Sequence, residues 1–303
     1  MAVTRRVFVS MPADEWLTPA QNEFKWELVS RVERLGYTPE IFLDPTGRQS
    51  LAARHAWSPD RADEIARHCH GAVLIGLPRW SFNAGGQPVL LPTEFTQYEG
   101  ALARTLALPL LIVVQADLLK RVVFDSGFGP YIGTFPPGAG KAWLDSKQFK
   151  VTFGYWCAEM NLRRDVFLGY AGASTSTAKL LREFLEKDIG ATVLDWQRDF
   201  RPGRSILDEI EEARVRCTTG IFLFTKDDLL AGRASNRQAA PRDNVVFEAG
   251  YFVSAKGKGR VLIVREAGAK MPADLGGDIY AALKSRTSIR SIEDSVRRFF
   301  GSL

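Results

Sequence analysis

"PRDNVVFEAGYF", residues 241–252, decides how the second half of this chain is interpreted. Proline and polar residues lead into an almost wholly apolar run, and one carboxylate, Glu248, stands in the middle of it. Removing a carboxylate from water is costly unless a partner compensates for it. Helical spacing puts Asn244, Glu248 and Tyr251 on one stripe and leaves the valines free to face a sheet. We therefore expect Glu248 at the rim of a cleft beyond the strand ends, the usual ligand position of an open α/β sheet.

Outward from this segment, apolar strand-like runs alternate with amphipathic helical stretches along the whole chain. This alternation predicts an α/β fold with mainly parallel sheets. The order of elements occurs twice, and the interval from Cys69 to Glu99 nearly equals that from Cys217 to Glu248. A cysteine before a strand and a carboxylate in the next helix, repeated at near-equal spacing, indicates an internal repeat. We predict two tandem flavodoxin-like parallel-sheet domains.

The boundary between the domains is expected in a segment rich in glycine and proline, residues 126–150. The first domain is then predicted to cover residues 1–145 and the second residues 160–303.

Composition excludes several classes of protein. The chain has 303 residues, 46% of them hydrophobic and 25% charged, which is typical of globular proteins. The net charge of +5 comes without a basic run, so it is weak evidence for nucleic acid and fits a polyanionic small molecule equally well. Three scattered cysteines, the lack of a signal-peptide core and the lack of a long apolar run predict a cytoplasmic protein without membrane spans. No spacing typical of metal ligands is present.

The second half resembles the TIR-like domains of predicted nucleotide-binding proteins, which are effectors in bacterial CBASS and Pycsar anti-phage systems. The strings "DVFLGYAG", "TKDD", "PRDNVVFEAGYF", "RVLIV" and "MPADLGGDIY" carry the resemblance, in that family's order, over about residues 163–303. One difference lies after the first strand, where the family usually has a histidine and a glycine and this chain has "GYAGAS".

The first half resembles, more loosely, the fold shared by TIR domains and nucleoside deoxyribosyltransferases. "VFVSMP" and "EFTQYEGALARTLALPLLIVV" carry this resemblance, and "LLPTEFTQ" stands where the second half has its Arg-Asp-Asn lead. We expect a sensor or assembly role for this half. Glu99 is the counterpart of Glu248 and a second candidate, but a nearby carboxylate such as Glu94 would tend to raise its pKa.

The resemblance implies an NAD+ glycohydrolase in which Glu248 is the catalytic carboxylate and Asn244, one turn earlier, orients it. Cleavage between ribose and nicotinamide develops oxocarbenium character and releases a neutral base, so one carboxylate suffices and no strong general acid is required. NAD+ is then a substrate and no cofactor is expected. The resemblance also implies self-association, possible activation by a cyclic nucleotide, and a linear or cyclised ADP-ribose product.

Further candidates for binding the substrate lie at strand ends and helix starts. Backbone N–H groups after the first strand could hold a diphosphate, an aromatic ring could stack on a base, and arginines could meet phosphates. Each has an ordinary alternative as a helix cap, a buried ring or a solvated turn, and Glu248 could simply pair with Arg242 or Lys226. These substrate-binding candidates are Tyr170, Gly172, Ser174, Trp196, Arg204, Asp227, Arg242 and Asp243.

Two other functions stay open from the sequence. The chain could be a non-catalytic module that holds a cyclic nucleotide or another nucleotide. It could also be an N-ribosyl hydrolase or transferase that acts through Glu99.

Overall fold

The computed structural model describes residues 3–42, 44, 50–229, 239–272 and 280–303. The chain divides into two compact units, Thr4–Leu162 and Arg163–Leu303, and Val3 belongs with the second. Most of the string "MPADLGGDIY", residues 273–279, lies outside the described residues.

The first unit is an α/β unit built on a five-stranded sheet of order β2-β1-β3-β6-β7, in which every neighbouring pair is parallel. A separate antiparallel hairpin is formed by β4 and β5. The strands are β1 (Arg6–Ser10), β2 (Thr38–Glu40), β3 (Gly71–Gly76), β4 (Trp80–Ala84), β5 (Gln87–Leu91), β6 (Leu110–Gln115) and β7 (Tyr131–Phe135). The helices are α1 (Pro19–Arg34), α2 (Pro59–Arg67), α3 (Glu94–Thr105) and α4 (Lys147–Leu162).

The second unit has the same plan, with a parallel five-stranded sheet of order β14-β13-β10-β8-β9 and a short antiparallel pair β11-β12. The strands are β8 (Arg164–Gly169), β9 (Val193–Asp195), β10 (Cys217–Phe224), β11 (Asp228–Leu229), β12 (Ala239–Ala240), β13 (Val261–Glu266) and β14 (Ala281–Leu283). The helices are α5 (Thr175–Phe184), α6 (Trp196–Asp199), α7 (Ile206–Arg216), α8 (Asp243–Lys256) and α9 (Glu293–Gly301).

Both sheets are covered by apolar clusters on their two faces. The central strands β3, β6 and β10 are buried at every residue, as expected for parallel strands covered on both sides. Such strands are continuous apolar runs in the sequence, which is why they could be predicted from it.

Local signals start the helices of the first unit. Thr18 and Gln21 form a reciprocal capping box before α1, and Pro19 occupies its first position. Ser58 caps α2, and the Thr93 hydroxyl accepts a hydrogen bond from the Thr96 N–H at the start of α3.

Numbered within each unit, the sheet strands follow the order 2-1-3-4-5. This is the flavodoxin-like order, so the predicted fold of two tandem flavodoxin-like domains is confirmed. The order reverses between β1 and β3 in one unit and between β8 and β10 in the other. A ligand crevice is therefore expected at the carboxyl ends of these strand pairs.

The boundary between the two units lies after Leu162, later in the chain than the expected segment 126–150. That segment contains β7 and the beginning of α4, which were not predicted. Helix α4 belongs to the first unit because Trp156 is fully buried and its Nε1 donates to the Pro109 carbonyl at 3.0 Å.

Candidate functional site

The second unit has a cleft of about 840 Å³ beyond the carboxyl ends of β8, β9 and β10. The loops after these strands and the first turns of α8 line it. This is the crevice that the strand order predicts. It brings together most of the candidate residues: Tyr170, Gly172, Trp196, Arg204, Asp227, Arg242, Asn244 and Glu248.

Glu248 reaches the floor of this cleft from α8 and is partly buried. Its carboxylate lies over the backbone of Gly169 at the end of β8: a Cβ built on that glycine would be 3.0 Å from Glu248 Oε2 and would overlap the Phe222 ring. Burial raises the pKa of Glu248 to about 7. The carboxylate is thus held in a site that disfavours its charge, as expected of an acid placed for function.

Glu248 has no hydrogen bond or ion pair among the residues that the structure describes. The ordinary alternative, an ion pair with Arg242 or Lys226, is not what is found. Arg242 Nη1 lies 3.3 Å from Asp228 Oδ1, and Lys226 Nζ lies 3.6 Å from Glu266 Oε1.

The start of α8 differs from the expectation in two ways. Asn244 lies in the same cleft one turn before Glu248, but within the described ranges no hydrogen bond joins the two side chains. Asp243 is exposed in the first turn, where its charge favours the helix dipole, and it is not among the residues that line the cleft. The N-cap residue is Arg242, and it makes no side-chain cap. Neither Asp243 nor Asn244 therefore caps α8.

Two aromatic candidates form one wall of the cleft. The Tyr170 hydroxyl donates to Asp195 Oδ1 at 2.7 Å, and Arg182 Nη1 lies 2.5 Å from Asp195 Oδ2. Burial, followed by this hydrogen bond, raises the pKa of Tyr170. Trp196 Nε1 donates to the Tyr170 carbonyl at 3.0 Å, and the two rings lie 5.6 Å apart. The Tyr170 hydroxyl is thus committed to the protein, whereas the partly exposed Trp196 ring lines the cleft.

Ser174 and Asp227 belong to a buried network beside the cleft. Ser174 is fully buried and does not line the cleft, so the structure does not support direct contact of its side chain with a ligand. Its Oγ lies 2.7 Å from Thr225 Oγ1, which donates to Asp227 Oδ2 at 2.7 Å. Arg286 Nη2 lies 3.5 Å from Asp227 Oδ1 and 2.8 Å from Glu266 Oε2. This network fixes the loops after β8 and β10.

The arginines of the turn after α6 are paired with acids of α7. Arg204 Nη1 lies 3.1 Å from Glu209 Oε1 and 2.6 Å from Glu212 Oε2, and Arg201 contacts the same two carboxylates. Arg204 would have to leave these partners to meet a phosphate. The pairing was not predicted, although the acidic run in "SILDEIEEARVRC" was its visible signal.

Gly172 opens the turn that leads into α5. The turn Gly172–Ser174 precedes the helix, which starts without a side-chain cap. Thr175 Oγ1 donates to the Gly172 carbonyl at 2.7 Å, so this hydroxyl is used locally. The N–H groups of Ser174 and Thr175 already donate to the carbonyls of Ala171 and Gly172, so the anion-binding capacity of this turn is smaller than predicted.

Glu99, the counterpart in the first unit, is buried on α3. Its Oε1 accepts a hydrogen bond from Trp57 Nε1 at 2.8 Å. The pKa of Glu99 is raised to about 7, as expected, but the cause is burial and not a neighbouring carboxylate. Glu94 accepts a hydrogen bond from Trp80 Nε1 at 3.1 Å instead.

The second unit is thus a parallel flavodoxin-like α/β domain with Glu248 in the crevice at its switch point. Residues 165–285 match the family model described as "CAP12/Pycsar effector protein, TIR domain". This match confirms the resemblance predicted from the sequence of the second half. The family prediction for the first half stays a prediction.

Curated relatives align over about the same share of the chain. A CD-NTase-associated protein 12 from Flavobacterium daejeonense is 47% identical over 119 residues, which are 38% of this chain and 37% of that protein. The Pycsar effector protein BcPycTIR from Burkholderia cepacia is 32% identical over 123 residues, 39% of this chain and 40% of the relative. A CD-NTase-associated protein 12 from Niabella drilacis is 28% identical over 120 residues, 38% of each chain. The chain spans about two fifths of the length of these relatives.

Within the described ranges, no helix combines the length and the apolar character needed to cross a membrane.

Proposed function

We propose that the second unit cleaves the bond between nicotinamide and ribose in NAD+, with Glu248 as the catalytic carboxylate. The observation that carries the proposal is the position of Glu248: it lies in a cleft at the switch point of the sheet, without an ion-pair partner among the described residues.

An unpaired carboxylate suits this reaction because the reacting centre is positively charged. The pyridinium leaves as neutral nicotinamide, so the bond can break without a general acid, and positive charge moves onto the ribose ring. A carboxylate beside that ring stabilises the developing oxocarbenium ion and can accept hydrogen bonds from the ribose hydroxyls. A positively charged nicotinamide ring beside Glu248 also favours the ionised form of this carboxyl.

The rest of the cleft fits a dinucleotide. A volume of about 840 Å³ is in the upper part of the usual range for small-molecule sites. The partly exposed Trp196 ring offers a surface for adenine or nicotinamide. The start of α5 borders the cleft at Gly172, and its helix dipole favours a diphosphate there.

At the level of the whole protein, we propose an effector of bacterial anti-phage defence that depletes NAD+ when it is activated. The first unit would serve sensing or assembly, and activation would involve self-association of the chain. The names of the relatives, CD-NTase-associated protein 12 and Pycsar effector, support this reading. The product would be ADP-ribose or its cyclised form.

The decisive experiment measures nicotinamide release from NAD+ by the purified full chain and by Glu248→Gln, with and without added cyclic nucleotides. We expect the variant to lose roughly 10² to 10⁴ in rate, because glutamine keeps the shape and removes the charge. Glu183→Gln is the matched control, since this partly exposed glutamate on α5 is not among the residues that line the cleft.

Wild-type turnover in the Glu248→Gln variant would exclude Glu248 as the catalytic carboxylate. Saturable NAD+ binding without any release of nicotinamide, under every activating condition, would favour the non-catalytic nucleotide-binding module.

A further inference from the structure

The first unit has a cavity of its own at the equivalent place in its sheet. Its volume is about 460 Å³, and it lies beyond the carboxyl end of β1 and against the first turns of α3. This is the switch point between β1 and β3, where a ligand crevice is expected. The family model matches residues 165–285 and therefore assigns nothing to this cavity.

Two polar side chains of its lining are buried in different ways. Ser10 is 2% exposed and faces Glu99, where hydrogen bonding of its hydroxyl lowers the pKa of that carboxyl against the larger opposite effect of burial. Nη1 of Arg79 is buried without a partner among the described residues. Buried donors without acceptors are costly, and a bound ligand would remove the cost.

The Arg79 guanidinium is held in place by stacking, in an orientation that suits an anion. It stacks on the Trp16 ring at 3.2 Å from the ring centroid and lies 4.6 Å from the centroid of Trp80. Stacking fixes the plane of the guanidinium, whose fork matches planar or tetrahedral oxyanions. No carboxylate of the described residues lies within ion-pair distance of Arg79, although Glu15 and Glu99 line the same cavity.

Lys25, the other cation that lines the cavity, already has partners within the protein. Lys25 is fully buried, lies 2.5 Å from Asp14 Oδ1 and donates to the Pro12 carbonyl at 2.6 Å. This pair fixes the segment after β1 that forms one wall. An incoming anion is therefore expected to meet Arg79 and not Lys25.

The remaining walls are mainly aromatic and suit a planar ring. Trp16 and Phe95 are about half exposed, and the Trp57 ring lies 4.4 Å from that of Phe95. Glu99 offers its second carboxyl oxygen to a hydroxyl or amino group, since only Oε1 is taken by Trp57. The cavity has about half the volume of the other cleft, enough for one nucleoside but tight for a dinucleotide.

We propose that this cavity binds a phosphorylated mononucleoside, with the phosphate at Arg79, the base against the aromatic walls, and a sugar or base hydroxyl or amino group at Ser10 and Glu99. The proposal does not depend on NAD+ cleavage, because it concerns binding in the first unit.

The test uses the full chain carrying Trp196→Phe, so that tryptophan fluorescence no longer reports on the other cleft. Adenosine and uridine 5′-monophosphates, their 3′,5′-cyclic forms, the parent nucleosides and inorganic phosphate are titrated separately. We expect at least one nucleotide to quench the fluorescence saturably and to bind at least about tenfold more tightly than its nucleoside or phosphate alone. The linear and cyclic arms show which form of phosphate the cavity prefers.

Arg79→Gln should weaken nucleotide binding at least about tenfold and leave nucleoside binding within about twofold. Arg104→Gln, an exposed arginine outside the lining, is the control of equal charge change and should bind like the parent protein. Circular dichroism checks that each variant folds, and if Arg79→Gln does not, the nucleotide–nucleoside comparison on the parent protein decides. The proposal is overturned if no nucleotide binds saturably up to about 1 mM, if nucleotide and nucleoside bind equally, or if folded Arg79→Gln binds nucleotides like the parent.

Discussion

The two units place a glutamate at the same point of the same fold, yet the charged groups near it are paired differently. Glu99 and Glu248 both have a pKa raised to about 7 by burial. Glu99 accepts a hydrogen bond from Trp57, and the nearby Arg79 is a cation without a partner in the described ranges. Glu248 has no described partner, and the arginines around it are paired with acids. A raised pKa alone therefore does not define a role. The charge without an ion-pair partner distinguishes the two sites. Arg79 suits the site in the first unit to an anion, and Glu248 suits the site in the second unit to a positive charge.

The difference also explains why a shared fold need not mean a shared reaction. A buried glutamate that already holds an indole N–H is partly satisfied, and it is suited to recognising a hydroxyl or an amino group. A glutamate without a partner keeps its full capacity for a developing positive charge. This difference supports the proposals of chemistry in the second unit and of binding in the first.

The largest effect expected from this comparison is a difference in the pH dependence of stability between the wild type and Glu99→Gln. The ordinary pKa of Glu99, 4.5, rises to about 7 in the folded chain, so the folded state favours the protonated form. This contribution to stability is complete at low pH and is lost as pH rises from about 4.5 to 7. Between pH 5 and pH 8 the wild type should lose about 2 to 3 kcal/mol of unfolding free energy that Glu99→Gln does not lose.

Urea unfolding of both proteins at pH 5 and pH 8 measures this difference, and effects of other titrating groups cancel between them. The glutamine can still accept the hydrogen bond from Trp57, so the variant should fold. Parallel pH dependence of wild type and variant would mean that burial does not perturb Glu99 in solution.

The next effect concerns the close contact between the Gly169 backbone and the Glu248 carboxylate. Gly169→Ala adds a Cβ that would overlap Phe222 and would lie 3.0 Å from Glu248 Oε2. We expect a loss of about 1 to 3 kcal/mol in stability from overpacking and a roughly tenfold to hundredfold loss of NAD+ turnover from displacement of the carboxylate.

Gly250→Ala is the matched control for that change. It lies on α8, and a Cβ there would meet no atom within 4 Å, so alanine should preserve turnover and slightly stabilise the helix. Thermal melts and nicotinamide release are measured on both variants. If the two behave alike, the close contact between Gly169 and Glu248 has no role in turnover.

Much of this comparison was visible in the sequence, for physical reasons. Central parallel strands are apolar on both faces, so β3 and β10 are continuous apolar runs, and the alternation predicted two similar sheets. Glu248 could be predicted as a site residue because it is an acid in an apolar segment, and the structure places it in the expected crevice.

What the sequence could not predict is the choice of partners. Arg286 contacts Asp227 across 59 positions of the chain, and Tyr170 contacts Asp195 across 25, so only the fold brings them together. Arg79 has no ion-pair partner among the described residues, and this is equally invisible in the sequence because it depends on distances between side chains in the fold. Ser174 was predicted at the ligand but lies in the buried network, because its hydroxyl is turned toward Thr225.

The smallest effect, and the one most specific to Glu248, is the pH dependence of NAD+ cleavage. The reaction is proposed to need the ionised carboxylate, and burial raises its pKa to about 7. The ionised fraction in the free enzyme is then about one tenth at pH 6 and about nine tenths at pH 8, so kcat/KM should rise roughly tenfold across this range. An unperturbed glutamate would be ionised throughout and would give a flat profile. Nicotinamide release at low substrate concentration, measured from pH 5.5 to about 8.5, gives the curve. The residual activity of Glu248→Gln is the control, because it lacks the titrating group and should show no such rise. A flat wild-type profile, or the same rise in the variant, would assign the pH dependence to another group and would remove Glu248 from the role proposed for it.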